Sequence, residues 1–93
     1  MPSDEVRESL QKVPGWLLDG KKIKREYVFK DFVEAMRFVD QVAVLAEAEG
    51  HHPDLHIHWN RVLVELWTHS VDGLSENDFI VAAKINLIDA GGK

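Results

Sequence analysis

The sequence predicts an α+β fold, a two-layer sandwich in which helices cover one face of a four-stranded antiparallel sheet. Two observations support this. Apolar residues recur at helical spacing in three segments, and in the segments between them they alternate with polar residues. The predicted order is helix, two strands, helix, two strands, helix. With 93 residues and no linker-like segment, we expect a single domain over residues 1–93.

The first third of the chain is predicted to form a short helix followed by a hairpin. Ser3 is expected to cap this helix, which runs to about Val13 before a proline and a glycine stop it. Residues 16–18 form a short strand, and Asp19–Gly20 is a strong hairpin turn signal. The return strand covers about residues 23–29, with its odd-numbered residues toward the core.

The longest predicted helix begins after Asp31, which together with Glu34 makes an aspartate version of the capping box, and it stops at Gly50. Its apolar stripe comprises Phe32, Ala35, Met36, Val39, Val42, Ala43 and Ala46. Phe38 and Leu45 lie off the centre of the stripe, so the apolar arc is wide. Such an arc fits either a second surface that packs on another subunit or a broad core-facing stripe.

The second hairpin follows Pro53, where the pattern changes to period two. If Asn60–Arg61 is a two-residue turn, Trp59 pairs with Val62 and later partners have numbers that also sum to 121. One face of this hairpin is then continuously apolar. Extending the same ladder places His52 opposite His69.

The last predicted helix opens at Ser75, with Asp78 three residues later, and ends at Gly91–Gly92. Its apolar side comprises Phe79, Ala82, Ala83, Leu87 and Ile88.

Composition excludes several classes of protein. Sixteen acidic against eleven basic residues give a net charge of −5, and only residues 21–25 form a basic cluster, so we expect no direct nucleic-acid binding. No apolar run approaches the roughly 18 residues of a membrane span, and the polar start is unlike a signal peptide. We therefore predict a cytoplasmic protein without membrane contact. The absence of cysteine excludes a thiolate zinc site.

The histidines form the candidate site. His51 follows the long helix, where exposed carbonyls favour a cation, and Glu47 lies one turn earlier, in position to hold the ring. The hairpin ladder adds His52 and His69, and Asp78 could reach the same end of the sheet. Three imidazoles with one or two carboxylates, and no nucleophile, are suited to proton transfer.

Several of these residues also have simpler explanations. A histidine after a helix is often only a favourable terminal charge, and Asp78 could be only half of a capping box. His56 opposite Glu65 suggests a solvated pair, and His58 should be exposed. Because both lie along a strand surface, they need not converge with the other histidines, and we expect no metal.

Trp67 lies on the predicted outer face of the sheet. It could be a ring-stacking platform, a subunit contact or a covered surface aromatic, and the sequence leaves these alternatives open.

The spacing of the site residues resembles a family signature. The pattern consists of Glu47, three residues, the run His51–His52–Pro53, and then Trp59, His69 and Asp78 at fixed intervals. It resembles the signature of the pterin-4a-carbinolamine dehydratases. These proteins are also called dimerisation cofactors of a homeodomain transcription factor. The likeness extends to residues 15–16, 29–32 and 73–76.

The resemblance implies a cofactor-independent dehydratase. Family members remove water from 4a-hydroxytetrahydropterin to give quinonoid dihydropterin, so the pterin is substrate rather than cofactor. It assigns His51 and His69 mainly to acid–base work, His52 more to substrate binding, and Asp78 to orienting a ring.

Four further residues complete the predicted site. Trp16 matches a tryptophan near the family's pocket and is expected to contact substrate. Trp67 is included as a second substrate contact, and Glu47 and Pro53 as supporting residues.

The resemblance also implies self-association, and we expect a homodimer or homotetramer formed through sheet edges and long helices. The alternative function is an oligomeric scaffold, such as a transcriptional coactivator or an assembly factor. The complete histidine set favours the enzyme, because a scaffold has no need of it.

Overall fold

Residues 1–91, which the structure describes, fold into three helices and four strands in the predicted order, which confirms the α+β class. The helices are α1 (Ser3–Gln11), α2 (Phe32–Glu49) and α3 (Glu76–Gly91). The strands are β1 (Leu17–Asp19), β2 (Lys22–Val28), β3 (Asp54–His58) and β4 (Arg61–Leu66), and a 3₁₀ turn, His69–Val71, precedes α3. The computed structural model describes residues 1–91, so Gly92 of the predicted helix end lies outside the described residues.

The sheet has the order β1-β2-β4-β3, and all neighbouring strands are antiparallel. The alternation predicted for β2 is confirmed, since Ile23 and Tyr27 are buried while Glu26 and Val28 are exposed. The core-facing side of the sheet packs against residues from all three helices. This core consists of Val6, Val13, Trp16, Ile23, Tyr27, Ala35, Phe38, Val42, Val62, Val64, Leu66, Leu74, Phe79, Val81, Ala82 and Ile85.

The start of α1 differs from the prediction. Pro2, with φ −65° and ψ 154°, occupies the cap position, and Ser3 is the first helical residue. No side chain caps this helix. The reason is local: the proline ring already holds the extended conformation that a cap residue needs, so the helix begins one residue after it.

The ends of α2 agree with the prediction. The backbone N–H of Glu34 donates to Asp31 Oδ1 at 2.9 Å, which satisfies one of the free donors of the first turn. Gly50 ends the helix in the left-handed region, with φ +65°, and its N–H bonds to the Ala46 carbonyl.

The wide apolar arc of α2 is a core-facing stripe at Phe38 and Leu45. Phe38 is only 4% exposed, and its ring centroid lies 4.5 Å from that of Tyr27 and 5.1 Å from that of Phe29. Leu45 packs against the same core. Phe38 is thus buried within the subunit, whereas Leu45 is partly buried. The large apolar residues that α2 exposes are Phe32, Val33 and Val44.

The register of the second hairpin differs from the prediction by two residues. Ile57 pairs with Val62 and His58 with Arg61, so the turn is Trp59–Asn60 rather than Asn60–Arg61. Asn60 is held in the turn by Phe29, whose N–H donates to the Asn60 carbonyl at 2.8 Å and whose carbonyl accepts from Asn60 Nδ2 at 2.9 Å.

A two-residue slip preserves the face of every side chain, so the apolar face of the hairpin was predicted correctly. The ladder, however, ends at the pair Asp54 and Glu65. The prediction that His52 and His69 are cross-strand neighbours is therefore wrong, because β3 starts only after Pro53 and His69 begins the 3₁₀ turn.

Candidate active site

The fully buried carboxylate of Asp78, in the first turn of α3, is the centre of a hydrogen-bond network. Its Oδ1 lies 2.5 Å from His51 Nε2. Its Oδ2 accepts from the Thr68 hydroxyl and from the backbone N–H of Ser75, each at 2.9 Å. Three donors thus serve one carboxylate, which offsets the cost of removing its charge from water.

The His51–Asp78 contact joins opposite ends of two helices. His51 follows the C-terminal end of α2, where a cation is favoured, and Asp78 lies at the N-terminal end of α3, where an anion is favoured. An ionised carboxylate offers only acceptors, so we assign a proton to His51 Nε2. The other ring nitrogen, Nδ1, is then left for a partner outside this pair.

His52 forms a separate pair with Glu47, with 2.5 Å between Nε2 and Oε2. Both side chains are largely exposed, at 60% and 78%. The prediction that Glu47 holds His51 is wrong. After the left-handed residue Gly50, the side chain of His51 contacts Asp78 on α3, whereas that of His52 contacts Glu47 on α2. The exposed pair contributes little stability, and its effect is to orient the His52 ring.

His69 is exposed, and its ring packs against Trp67 in a tilted arrangement, with ring centroids 3.9 Å apart and planes inclined by 43°. Thr68 lies between them and pairs with Gly73 in a short β-bridge, with N···O distances of 2.8 and 3.3 Å. This bridge closes the loop that carries His69. Trp67 thus has a ring contact with His69, while the predicted substrate contact at Trp67 stays a prediction.

The structure brings the predicted site residues together only in part. His51 and Asp78 share one network, to which His69 is linked through its neighbour Thr68. His52 is linked through His51. That the three imidazoles act on a single substrate stays a prediction. Sequence reasoning missed Thr68, for which the only available signal is its position before His69.

Trp16 and Pro53 are not in this network. Trp16 is buried in the core, and its Nε1 donates to Asn86 Oδ1 at 2.9 Å. The same oxygen accepts from Arg25 Nη1 at 2.6 Å. Asn86 is eight residues beyond Asp78, roughly 12 Å along the axis of α3. The predicted substrate contact of Trp16 stays a prediction. Pro53 directly precedes β3 and limits the ladder there.

A second cluster lies on the outer face of the sheet. Glu65, only 8% exposed, has one oxygen 2.8 Å from His56 Nε2 and the other 2.9 Å from Lys22 Nζ. Burial alone raises the pKa of Glu65, but the hydrogen bonds from Lys22 and His56 outweigh burial and hold the pKa below its usual value. The hydrogen bond to Glu65 in turn raises the pKa of Lys22.

The His56–Glu65 contact is a diagonal one, because the strand partner of His56 is Leu63. His58 is exposed, as predicted. Within residues 1–91, no three histidine, cysteine or acidic side chains are grouped so that they could hold a metal ion. None of the helices in the same range is both long and apolar enough to span a membrane.

The His51 imidazole is held by a buried, hydrogen-bonded carboxylate, with His52 next to it in the chain and His69 next to Thr68 of the same network. This arrangement defines a small α+β protein with a candidate acid–base site. The family described as "Pterin 4 alpha carbinolamine dehydratase" matches residues 1–88. The chain belongs to this family, as its motif spacing predicted.

Two relatives illustrate the range of similarity. The chain is 50% identical over 91 residues to pterin-4-alpha-carbinolamine dehydratase 2, mitochondrial, from Arabidopsis thaliana, and this match covers 92% of the chain but about half (49%) of that protein. It is 45% identical over 85 residues to a putative pterin-4-alpha-carbinolamine dehydratase from Trichormus variabilis, and the match covers 91% of each. Because one relative is named as mitochondrial, the cytoplasmic location stays a prediction.

Two solved structures are similar. A transcriptional coactivator/pterin dehydratase from Brucella melitensis superposes with a TM-score of 0.90 at 41% identity, covering 95% of this chain and 96% of that one. A pterin dehydratase-like protein identified as a RuBisCO assembly factor in the alpha-carboxysome gives a TM-score of 0.70 at 21% identity, over 83% of this chain and 92% of that one. The second likeness concerns the fold alone.

Proposed function

We propose that the protein dehydrates 4a-hydroxytetrahydropterin to quinonoid dihydropterin by general acid–base catalysis, and so takes part in pterin recycling. The reaction makes the protein a hydro-lyase, with the pterin as substrate and no cofactor. The observation that supports this most directly is the 2.5 Å contact between His51 Nε2 and the buried Asp78 carboxylate, in a chain of the dehydratase family.

The reaction needs two proton transfers. The N5 lone pair of the pterin expels the 4a-hydroxyl group when an acid protonates that group, and water leaves. A base then removes the proton from N5, and the quinonoid product is neutral. Each transfer by a positioned imidazole contributes roughly 10²–10⁴-fold to the rate.

The contacts suggest a division of roles. His51 uses Nε2 to bind Asp78, so Nδ1 is the nitrogen that would protonate the leaving hydroxyl group. His69, whose ring contacts Trp67, is the proposed base. His51 and His69 could exchange roles for substrates of opposite stereochemistry. His52, held by Glu47, is the proposed substrate contact, with Trp16 and Trp67 as further candidates.

Stopped-flow dehydration of freshly generated 4a-hydroxytetrahydropterin tests the proposal. We expect the wild type to accelerate the reaction and His51→Ala and His69→Ala each to lower kcat by roughly 10²–10⁴-fold. His52→Ala should mainly raise KM. His58→Ala is the matched control, since His58 is exposed on β3. If the wild type gave no acceleration over buffer, the enzymatic function would be wrong.

The second candidate function is an oligomeric scaffold. It is favoured by the similarity to the Brucella protein, which is described as a transcriptional coactivator/pterin dehydratase. It requires self-association, which we propose in either case as a homodimer or homotetramer. Val44 of α2 is 72% exposed and, with Phe32 and Val33, is one of the large apolar side chains that this helix leaves accessible to a partner. Light scattering coupled to size exclusion should give the mass of two or four chains, and Val44→Glu should lower it if α2 forms the interface.

A further inference from the structure

Thr68 has a hydroxyl group whose two contacts can be satisfied in only one direction. Thr68 Oγ1 lies 2.7 Å from Ser75 Oγ and 2.9 Å from Asp78 Oδ2. Because an ionised carboxylate only accepts, the single Thr68 proton must go to Asp78. The Ser75 hydroxyl must then donate to Thr68. Donation therefore runs from Ser75 through Thr68 to the carboxylate.

The direction of these hydrogen bonds fixes the orientation of the Asp78 carboxylate. The Thr68 hydroxyl and the Ser75 N–H occupy Oδ2, which leaves Oδ1 for His51. Rotation of the buried Asp78 side chain would leave at least one donor unpaired, which is costly inside a protein. With Oδ1 held in place, Nε2 of His51 keeps its proton whether the ring is neutral or protonated, and Nδ1 is the nitrogen that gains and loses the catalytic proton.

The same residue also determines the backbone before His69. Thr68 donates its N–H to the Gly73 carbonyl and accepts from the Gly73 N–H, so the start of the 3₁₀ turn is tied at this point. A single residue thus contacts the carboxylate behind one acid–base histidine and directly precedes the other.

We infer that Thr68 is a positioning residue, whose hydroxyl fixes Asp78 and through it the Nε2–H tautomer of His51, and whose backbone bridge places His69. The catalytic consequence rests on the proposed dehydratase function, whereas the effect on the His51 tautomer does not. Neither the family signature residues nor the spacing of the histidines assigns a role to this hydroxyl.

Three variants of the full chain isolate the hydroxyl. Thr68→Val keeps the shape and removes the donor, and Thr68→Ser keeps the donor. Ser70→Ala is the matched control, because it removes an exposed hydroxyl group from the same 3₁₀ turn. The ¹⁵N chemical shifts of the ring nitrogens of His51 report the tautomer without any substrate.

We expect Thr68→Val to lose the pure Nε2–H signature and to lower kcat roughly 10- to 100-fold with KM nearly unchanged, the range for a hydrogen bond to a charged group. Thr68→Ser and Ser70→Ala should keep the signature and stay within a few-fold of the wild type.

Two results would overturn the inference. The first is an unchanged His51 signature in Thr68→Val, and the second is a Thr68→Ser variant as impaired as Thr68→Val, which would show that the methyl group and not the hydroxyl matters. If Thr68→Val does not fold, Thr68→Ala replaces it with the same criteria. A wild type without dehydratase activity would end the proposed function, while the ¹⁵N comparison would still decide the role of Thr68.

Discussion

Replacing Asp78 by asparagine changes the charge of the site while keeping its shape. The carboxylate accepts three hydrogen bonds, from His51, Thr68 and the Ser75 backbone. An amide has one acceptor oxygen and one donor nitrogen. Because two donors converge on the Oδ2 position, the amide oxygen should take that place. The amide NH₂ group then faces His51 Nε2, so that a donor meets a donor.

The two consequences differ in size. Losing a hydrogen bond to a charged group costs about 1.5–3 kcal/mol, but a buried neutral amide is cheaper to desolvate than a buried anion. We therefore expect Asp78→Asn to lower the free energy of unfolding by only about 1–2 kcal/mol. The effect on kcat should be larger, roughly 10²–10⁴-fold, because His51 must adopt the other tautomer and loses its role in proton transfer.

Urea denaturation and the stopped-flow assay measure these two effects separately. Asp72→Asn is the control, because Asp72 forms an exposed ion pair with Lys21 that contributes little stability, and asparagine tolerates its φ of +49°. A folded Asp78→Asn variant that dehydrates substrate at the wild-type rate would refute the role of Asp78 in orienting His51.

Two further predictions concern stability. Gly15 has φ +90°, and a Cβ there would lie 2.7 Å from the Arg25 guanidinium. We therefore expect Gly15→Ala to lower the free energy of unfolding, measured by thermal unfolding, by about 2 kcal/mol. Gly20→Ala should lower it clearly less, because the space around Gly20 is open. An equal cost at both positions would contradict the contact with Arg25. Because the folded-state pKa of Glu65 is lowered, its ion pair with Lys22 should stabilise the fold above about pH 4.5 and lose this effect as the pH falls further. Glu65→Gln should therefore be less stable than the wild type in urea at neutral pH, with the difference shrinking toward about pH 3, and a constant difference would argue against the pair.

Local signals in the sequence predicted local structure well. The Asp31 cap and the Gly50 stop of α2 depend on a few neighbouring residues, and both are confirmed. The hairpin register was missed because two registers that differ by two residues keep the same faces. The choice between the two registers depends on hydrogen bonds between Asn60 and Phe29. These residues are 31 positions apart, so no local sequence pattern indicates such bonds.

The site was predictable to a similar extent. The motif spacing identified His51 and Asp78, which the structure joins directly. The carboxylate partners could not be predicted, because the direction of each side chain after the left-handed residue Gly50 depends on how α3 packs on α2. Glu47 consequently binds His52. The role of Thr68 could not be predicted for the same reason, since its hydroxyl group contacts Asp78 only when the loop folds back on α3.

Asp78 can serve both as a helix cap and as the partner of His51, because the two contacts use different oxygens. Oδ2 accepts the Ser75 N–H, which is the capping interaction, and Oδ1 contacts His51. A buried ion pair often adds little net stability, but it can impose a unique arrangement. Here the capping bond holds the carboxylate whether or not His51 is protonated. In the proposed reaction, Asp78 could therefore keep the His51 ring oriented through both proton transfers without itself moving, which is the property that an acid–base site requires.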